Sequence, residues 1–216
     1  MFVLKGILAA LLVVVPLTGL ATEQAPRRIV SLAPSLTREI YDLNAQDLLV
    51  GVTSYCGTMA ASKELIGSPA RINIEKTLSL KPHLVLASTD CNSKSDVETL
   101  ERLGCKVKVF KACESFSCMC STFQELGRVL GRSRPADTVL RNIRKELDSI
   151  QSSIRGKKPL RVFWQTGTDP LITVSDATFS GEFIRRSGCT NIFAGAPMRY
   201  PRVNVEEVIV STVLEP

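Results

Sequence analysis

The chain has 216 residues, of which 44% are hydrophobic and 22% are charged, and its formal net charge is +6. That balance is typical of a globular protein with one large or two small domains. The basic residues are scattered and form no stripe along the sequence, so a nucleic-acid partner is not expected.

Residues 1–21 have the pattern of a cleaved secretory signal. Lys5 is a short positive start, residues 6–17 are an apolar run, and residues 19–21 offer small side chains for cleavage. The apolar run is short for a membrane span, so an uncleaved anchor is the weaker alternative. No cysteine follows the cleavage site, so a lipid anchor is not supported. We expect a secreted, periplasmic protein.

Residues 22–134 alternate apolar strands with helices. The apolar runs predict strands at residues 28–32, 48–53, 84–88 and 106–110. Helical spacing of apolar residues begins at Leu36, where Ser35 can act as the N-cap, and helices also follow over residues 73–80 and 97–104. This alternation predicts βαβ units with a parallel sheet, and the apolar strands suit a sheet covered on both faces. We predict an N-terminal α/β lobe.

A longer helix separates this lobe from the rest of the chain. Pro135 opens it and Gly156 ends it, with one apolar stripe in between. Such a helix spans about 30 Å, enough to bridge two lobes. Residues 157–216 begin again with a strand (160–165) and a helix (179–187), but about 60 residues are few for a self-sufficient core.

The predicted organisation is therefore α/β, with two Rossmann-like parallel-sheet lobes joined by one long helix and an incomplete second lobe. The predicted segments are a signal at 1–21, an N-terminal lobe at 22–134, an interlobe helix at 135–156 and a partial C-terminal lobe at 157–216.

A short motif occurs twice. Residues 71–78 read RINIEKTL and residues 202–209 read RVNVEEVI. Asn73 and Asn204 are good N-caps, which places Glu75 and Glu206 in a first helical turn, where the helix dipole favours a carboxylate. The repeat has two interpretations: helix capping alone, or two matched acidic tips, one per lobe, for a partner with two basic sockets.

Several longer segments resemble one family in their order along the chain. They are RRIVSLAPSLTREIYDL with LLVGVTSYC, INIEKTLSLKPHLVLAS, LERLGCKVKVF, VFWQTGTDPLITVSDATFSGEFIRRSGCTNIF and YPRVNVEEVI. They resemble the periplasmic binding proteins for cobalamin and iron complexes, the receptors of ABC importers, over residues 27–210. Within that group the resemblance is closest to cobalamin-binding proteins. It implies two α/β lobes, one rigid helix, and a ligand held between the lobes.

The resemblance also implies roles for single residues. Glu75 and Glu206 match the glutamates that dock each lobe on arginines of the membrane permease. A ligand would lie at the carboxyl ends of the parallel strands. The candidate ligand-binding residues there are Pro34, Ser35, Tyr55, Cys56, Asp90, Cys91, Trp164 and Tyr200. No catalytic residue, metal site or covalent cofactor is expected, and we expect a monomer.

The ligand itself stays open between cobalamin, haem and an iron–siderophore. Tyr55 and Tyr200 stand where cobalamin-binding relatives place aromatic residues against the corrin ring, and aromatic faces bury large areas. Trp164 has two interpretations, core residue or ligand wall. The chain departs from the relatives where further aromatic residues are replaced, which weakens cobalamin as the specific ligand. The replacements are Pro69, Ser88, Thr166 and Ile172.

The chain has seven cysteines, an odd number. Five belong to the expected cleft rim: Cys56, Cys91, Cys113, Cys118 and Cys120. In an oxidising compartment we expect these five to form two disulfides and leave one thiol. Soft metal ligation by thiolates is the alternative, although their spacing fits no zinc-ribbon pattern. Cys105 and Cys189 lie at the opposite edge and are expected to be buried thiols.

An enzyme is not expected. His83 is the only histidine, which excludes most catalytic triads and HExxH metal sites, and no glycine-rich phosphate loop occurs. We predict the substrate-binding component of an ABC importer. The alternatives are a secreted cysteine-rich metal-binding or thiol-redox protein, although Cys-x-x-Cys is lacking, and a truncated, non-transporting fragment, since residues 210–216 do not resemble the usual continuation of the family.

Overall fold

The computed structural model describes residues 25–213, so the predicted signal at 1–21 lies outside the described residues. The strands of the first lobe are β1 (Ile29–Ser31), β2 (Leu49–Val52), β3 (Glu64–Leu65), β4 (Gly67–Ser68), β5 (Arg71–Ile72), β6 (Leu84–Ser88) and β7 (Val107–Phe110). Five of them form a sheet in the order β3-β2-β1-β6-β7, in which every neighbouring pair is parallel. The two others, β4 and β5, pair as an antiparallel hairpin.

Both faces of this sheet are covered, as predicted from its apolar strands. Successive side chains of a strand point to opposite faces. Accordingly, Ile29 belongs to the hydrophobic cluster under α1 and α4, and Val30 to the cluster that Val97 and Leu100 of α3 help to form. The helices of this lobe are α1 (Pro34–Asp42), α2 (Ile74–Ser79), α3 (Lys94–Arg102) and α4 (Phe116–Val129). The predicted α/β lobe is confirmed.

The start of α1 differs from the prediction. Pro34 takes the first helical position, which suits proline because its missing N–H would have no helical partner there. The cap position therefore falls on Ala33, which has no side-chain acceptor. The prediction that Ser35 caps this helix is wrong, and Ser35 instead lies exposed in the first turn.

The long helix α5 (Ser133–Ile154) has 22 residues and begins two residues before Pro135. Proline is tolerated in a first helical turn, so it does not interrupt α5. Ala136 and Leu140 are the residues of α5 that are fully buried in the structure, and they join the core beneath α4. Gly156 follows the helix with a φ of 76°, a left-handed conformation suited to glycine.

The second lobe has shorter strands than predicted. In place of a strand over 160–165, only Arg161–Val162 (β8) is extended, and it pairs in parallel with β11 (Thr190–Asn191). Between these two strands in the chain come a hairpin of β9 (Gly167–Thr168) and β10 (Leu171–Ile172) and the helix α6 (Phe179–Arg186). The helix α7 (Val205–Val213) follows β11. Several apolar residues of this lobe are exposed, including Leu160, Phe183 and Ile209.

Candidate functional site

The two copies of the repeated motif form equivalent helix starts. Asn73 Oδ1 accepts a hydrogen bond from Lys76 N at 2.8 Å at the start of α2. At the start of α7, Asn204 Oδ1 accepts from Glu207 N at 2.7 Å, and a Glu207 carboxylate oxygen accepts from Asn204 N at 2.8 Å. This is a reciprocal capping box. Both predicted caps are confirmed.

Glu75 and Glu206 each occupy the second position of their helix, and both are exposed. The two carboxylates therefore stand at matching places in the two lobes, near the positive end of a helix dipole. Within residues 25–213, neither side chain takes part in a hydrogen bond or an ion pair. A basic partner could approach both.

The lobes meet at the start of α4. Phe116 N donates a hydrogen bond to Glu182 of α6 at 2.8 Å, and Arg186 donates to the other oxygen of that carboxylate at 2.7 Å. The Arg186 guanidinium lies 4.8 Å from the centre of the Phe116 ring, and Arg199 pairs with Glu114. These five residues form a largely polar contact between the lobes. The Phe116 N–H, more than Arg186, holds the pKa of Glu182 below its usual range.

A cavity of about 200 Å³ lies where α1, the carboxyl ends of β6 and β7, α4 and α6 come together. We call it the seam pocket. It lies where ligands bind in parallel α/β sheets. Pockets for drug-sized ligands are usually about 300–1,000 Å³. The seam pocket is smaller than this range, so it can take only the edge of a bulky guest. Among the lining residues are Ser35, Glu39, Asp90, Lys111, Met119 and Phe179.

Glu39 contributes a partly buried carboxyl group to the lining of this pocket. Its Oε2 atom is buried and has no hydrogen-bond partner. Burial, and secondarily the negative charge of Asp42, raises the pKa of Glu39 to about 7. The carboxyl is therefore balanced between its neutral and charged forms near neutral pH.

The predicted ligand-binding residues divide into three groups. Ser35 and Asp90 line the seam pocket, and a Ser88 hydroxyl donates to the Asp90 carboxylate at 3.3 Å. The aromatic candidates lie outside the pocket lining with large exposed fractions: 74% for Tyr55, 37% for Trp164 and 53% for Tyr200. The ring of Trp164 packs edge-on against Phe183, with 6.3 Å between ring centres.

The remaining three candidates lie against the core or at its edge. Cys56 is buried, and its Sγ donates to Thr37 Oγ1 at 3.3 Å, so it faces the core and not the pocket. Cys91 is half-buried and packs against the same hydrophobic cluster. Pro34 is half-buried at the start of α1. The structure thus brings two of the eight candidates into one cavity.

Sequence reasoning missed most of the residues that line the seam pocket, among them Glu39, Lys111, Met119 and Phe179. One of them left a signal. Glu39 lies three residues after Leu36 and directly before Ile40, so a carboxylate interrupts the apolar stripe of a predicted helix. The other three reach the pocket through the packing of distant segments, which no local pattern reports.

The cysteines pair less than predicted. Cys113 and Cys118 form a disulfide, whereas Cys56, Cys91, Cys105, Cys120 and Cys189 are free. The prediction of two disulfides among the five rim cysteines is therefore wrong. Cys120 lies on the buried face of α4, and the Cys56 thiol is turned toward Thr37. Cys105 and Cys189 are half-buried, not buried as predicted.

Residues 25–213 offer neither a cluster of metal ligands nor a membrane-spanning helix. No group of three or more His, Cys, Asp or Glu residues in that range is placed to hold a metal ion. Within the same range, no helix has both the length and the apolar character needed to cross a membrane.

Two α/β lobes, a connecting helix and a pocket at their seam define the class of substrate-binding proteins. The chain matches the family described as periplasmic binding protein over residues 29–211, and it belongs to that family. The predicted family and fold are confirmed.

Several proteins similar to this chain are named as vitamin B12-binding or heme-binding proteins. A vitamin B12-binding protein of Vibrio vulnificus is 29% identical over 197 residues, which is 90% of this chain and 72% of the relative. The crystal structure of the periplasmic vitamin B12 binding protein BtuF of Vibrio cholerae has 28% identity and a TM-score of 0.68, covering 87% of this chain and 74% of that one. The periplasmic heme-binding protein RhuT from Roseiflexus has 22% identity and a TM-score of 0.72, covering 86% and 73%, and supports the fold alone.

Proposed function

We propose that this protein is the extracytoplasmic substrate-binding component of an ABC importer. It captures a cobalamin-like or iron-chelate ligand between its lobes and delivers it to a membrane permease. The observation that carries the proposal is the seam pocket. It lies at the carboxyl ends of parallel strands and is lined from both lobes, by Ser35 and Asp90 on one side and Phe179 on the other.

The ligand class rests on the relatives and on exposed aromatic side chains. Relatives bind vitamin B12 or haem, according to their names. Tyr55, Trp164 and Tyr200 offer large exposed rings that a flat macrocycle can cover. We place these rings on the walls of the opened cleft, around a ligand whose edge enters the seam pocket.

The delivery step is assigned to the two acidic helix starts. Glu75 and Glu206 hold the same position in equivalent helices of the two lobes. Charged contacts of this kind steer an encounter and fix its orientation more than they add affinity. A permease with one basic socket for each lobe is the partner, and the periplasm is the location.

The alternative of a thiol-redox or cysteine-based metal protein is less well supported. The family consists of binding proteins. Cys56 and Cys120 are buried, and burial raises the pKa of the Cys91 thiol, which opposes thiolate chemistry. No observation on residues 25–213 favours it over ligand capture.

Ligand-dependent stabilisation tests the proposal. The purified chain is melted alone and with cyanocobalamin, haemin or a ferric siderophore. A ligand at a hundred times its dissociation constant adds about 2.7 kcal/mol to the free energy of unfolding, which corresponds to about 5–10 °C in Tm. A shift with at least one of the three is expected, together with a change in its absorbance spectrum. If all three leave both the melt and the spectra unchanged, the proposal is wrong.

A further inference from the structure

One of the side chains that line the seam pocket has a carboxyl oxygen without a hydrogen-bond partner. Glu39 Oε2 is buried without a partner, and Glu39 lines the cavity. Buried polar atoms in proteins are nearly always hydrogen-bonded, so an unpaired one calls for an explanation. In a protein that binds small molecules, a group of this kind in the cleft can be satisfied by the ligand.

One neighbouring charge acts directly on this carboxyl, and two further charged side chains line the same pocket. Asp42 lies on the same helix, Asp90 follows β6, and Lys111 follows β7. From α4 the pocket receives the uncharged side chains of Met119 and Thr122, and Cys113 next to it is held in a disulfide. The pocket wall thus contains two carboxyl groups and one ammonium group.

We infer that Glu39 is a ligand-contacting residue that selects a ligand edge rich in N–H donors, such as the carboxamides of a corrinoid, over an edge bearing carboxylates, such as the propionates of haem. The inference rests on the proposed function, because it requires that the ligand edge enters the seam pocket.

The carboxamide edge of a corrinoid and the propionate edge of haem interact in opposite ways with a carboxylate. A carboxamide N–H donates to a carboxylate in a charge-assisted hydrogen bond, which is about twice as strong as a neutral one. A propionate brought against the same carboxylate is repelled, because like charges in a partly dry site disfavour each other. Lys111 can offset one negative charge, but a propionate would then be a third carboxyl group for one ammonium.

The two ligands should therefore respond to pH in opposite directions. The pKa of Glu39 is about 7 in the free protein. A ligand that binds only the carboxylate form gains about tenfold in affinity between pH 6 and pH 8. A ligand that binds only the protonated form loses about tenfold over the same interval.

The experiment is a set of titrations with cyanocobalamin and with haemin at pH 6, 7 and 8. It uses the wild-type chain, Glu39→Gln and Asp42→Asn. The Asp42→Asn control removes one negative charge from the same helix but keeps the Glu39 carboxyl. Wild type and Asp42→Asn should show the opposite pH trends, and Glu39→Gln should lose both and bind haemin at pH 8 several-fold more tightly than wild type.

The outcomes separate the inference from the proposed function. If ligands bind but Glu39→Gln keeps the wild-type preference and pH trends, the inference is wrong and the proposed function stands. If neither probe nor a ferric siderophore binds wild type at any pH, both are wrong.

A measurement on wild type covers the case in which Glu39→Gln does not fold. The Glu39 carboxyl is followed by carbon-13 NMR through a pH titration, with and without saturating cyanocobalamin. A ligand that donates to the carboxylate lowers the titration midpoint, by about one pH unit for each tenfold of preference. An unchanged midpoint would contradict the contact.

Discussion

The carboxyl group of Glu39 is held in surroundings that oppose its charge, and this has a consequence for stability in the absence of ligand. The pKa of Glu39 in the folded chain is about 7, against an ordinary value of 4.5. Between these two pH values the folded chain binds more protons than the unfolded chain. The free energy of unfolding therefore falls as pH rises from about 4.5 to about 7, and this contribution levels off above pH 7.

The substitution Glu39→Gln should remove this loss. A shift of this size corresponds to a destabilisation on the order of 3 kcal/mol once the carboxyl is ionised. Urea unfolding at pH 5 and pH 8 should show wild type losing stability relative to Glu39→Gln as pH rises. Asp42→Asn, which removes only the smaller cause, should change the pH dependence much less. Parallel stability curves for wild type and Glu39→Gln would contradict the raised pKa.

At the scale of elements, the first turn of α4 is held in place by both an N-cap hydrogen bond and a disulfide. Ser115 Oγ accepts from Cys118 N at 3.1 Å as the N-cap, and Cys118 is bonded to Cys113 just before the helix. This turn also presents Phe116 to Glu182 of the second lobe. The disulfide thus restrains the segment through which the lobes touch.

Removing the disulfide should destabilise the chain and loosen this contact. The loop it closes is short, so the chain-entropy estimate is about 2 kcal/mol. The double variant Cys113→Ser with Cys118→Ser is compared with Cys189→Ser, which removes a free thiol. Urea unfolding should show the loss only in the double variant, and amide hydrogen exchange at Phe116 should become faster. Equal stability and equal exchange in both variants would show that the disulfide has no such role.

Elements with a strong local pattern could be predicted from the sequence, and those without one could not. The β6 strand is a run of five buried residues, and the capped starts of α2 and α7 follow from Asn73 and Asn204. The strands β3, β4 and β5 have two residues each, too few to show a period. They form because tertiary neighbours place them.

The candidate site was less predictable because it depends on long-range packing and on helix phase. Ser35 and Asp90 lie within four residues of the carboxyl ends of β1 and β6, so the rule for parallel sheets locates them. Lys111 and Phe179 are 68 positions apart in the chain but line the same pocket. Cys118 and Cys120 are two residues apart, which on a helix turns them to different faces, so only Cys118 reaches Cys113. Pairing therefore could not be deduced from spacing.

At the scale of the whole molecule, the two lobes differ in how they are held. The first has a sheet covered on both faces, whereas the second has short strands and exposed apolar residues such as Leu160 and Ile209. The contact between them at α4 is polar, through Glu182 and Arg199. Polar contacts of this kind can separate without exposing a large apolar surface, which agrees with the proposed capture of a guest larger than the present pocket.

The docking role proposed for the two acidic helix starts belongs to this same scale, because it involves both lobes. Reversing both charges, Glu75→Lys with Glu206→Lys, should reduce ligand uptake by about tenfold or more, since like charges facing a basic socket oppose docking. Ligand affinity should be unchanged, because neither residue lines the seam pocket. Uptake is measured in cells that carry the cognate permease, and affinity on purified protein. The control is the double variant Glu101→Lys with Glu146→Lys, which makes the same change of net charge. Glu101 lies on α3 and Glu146 on α5, and both are exposed. Equal loss of uptake in the control, or a parallel loss of ligand affinity in the docking variant, would contradict this role.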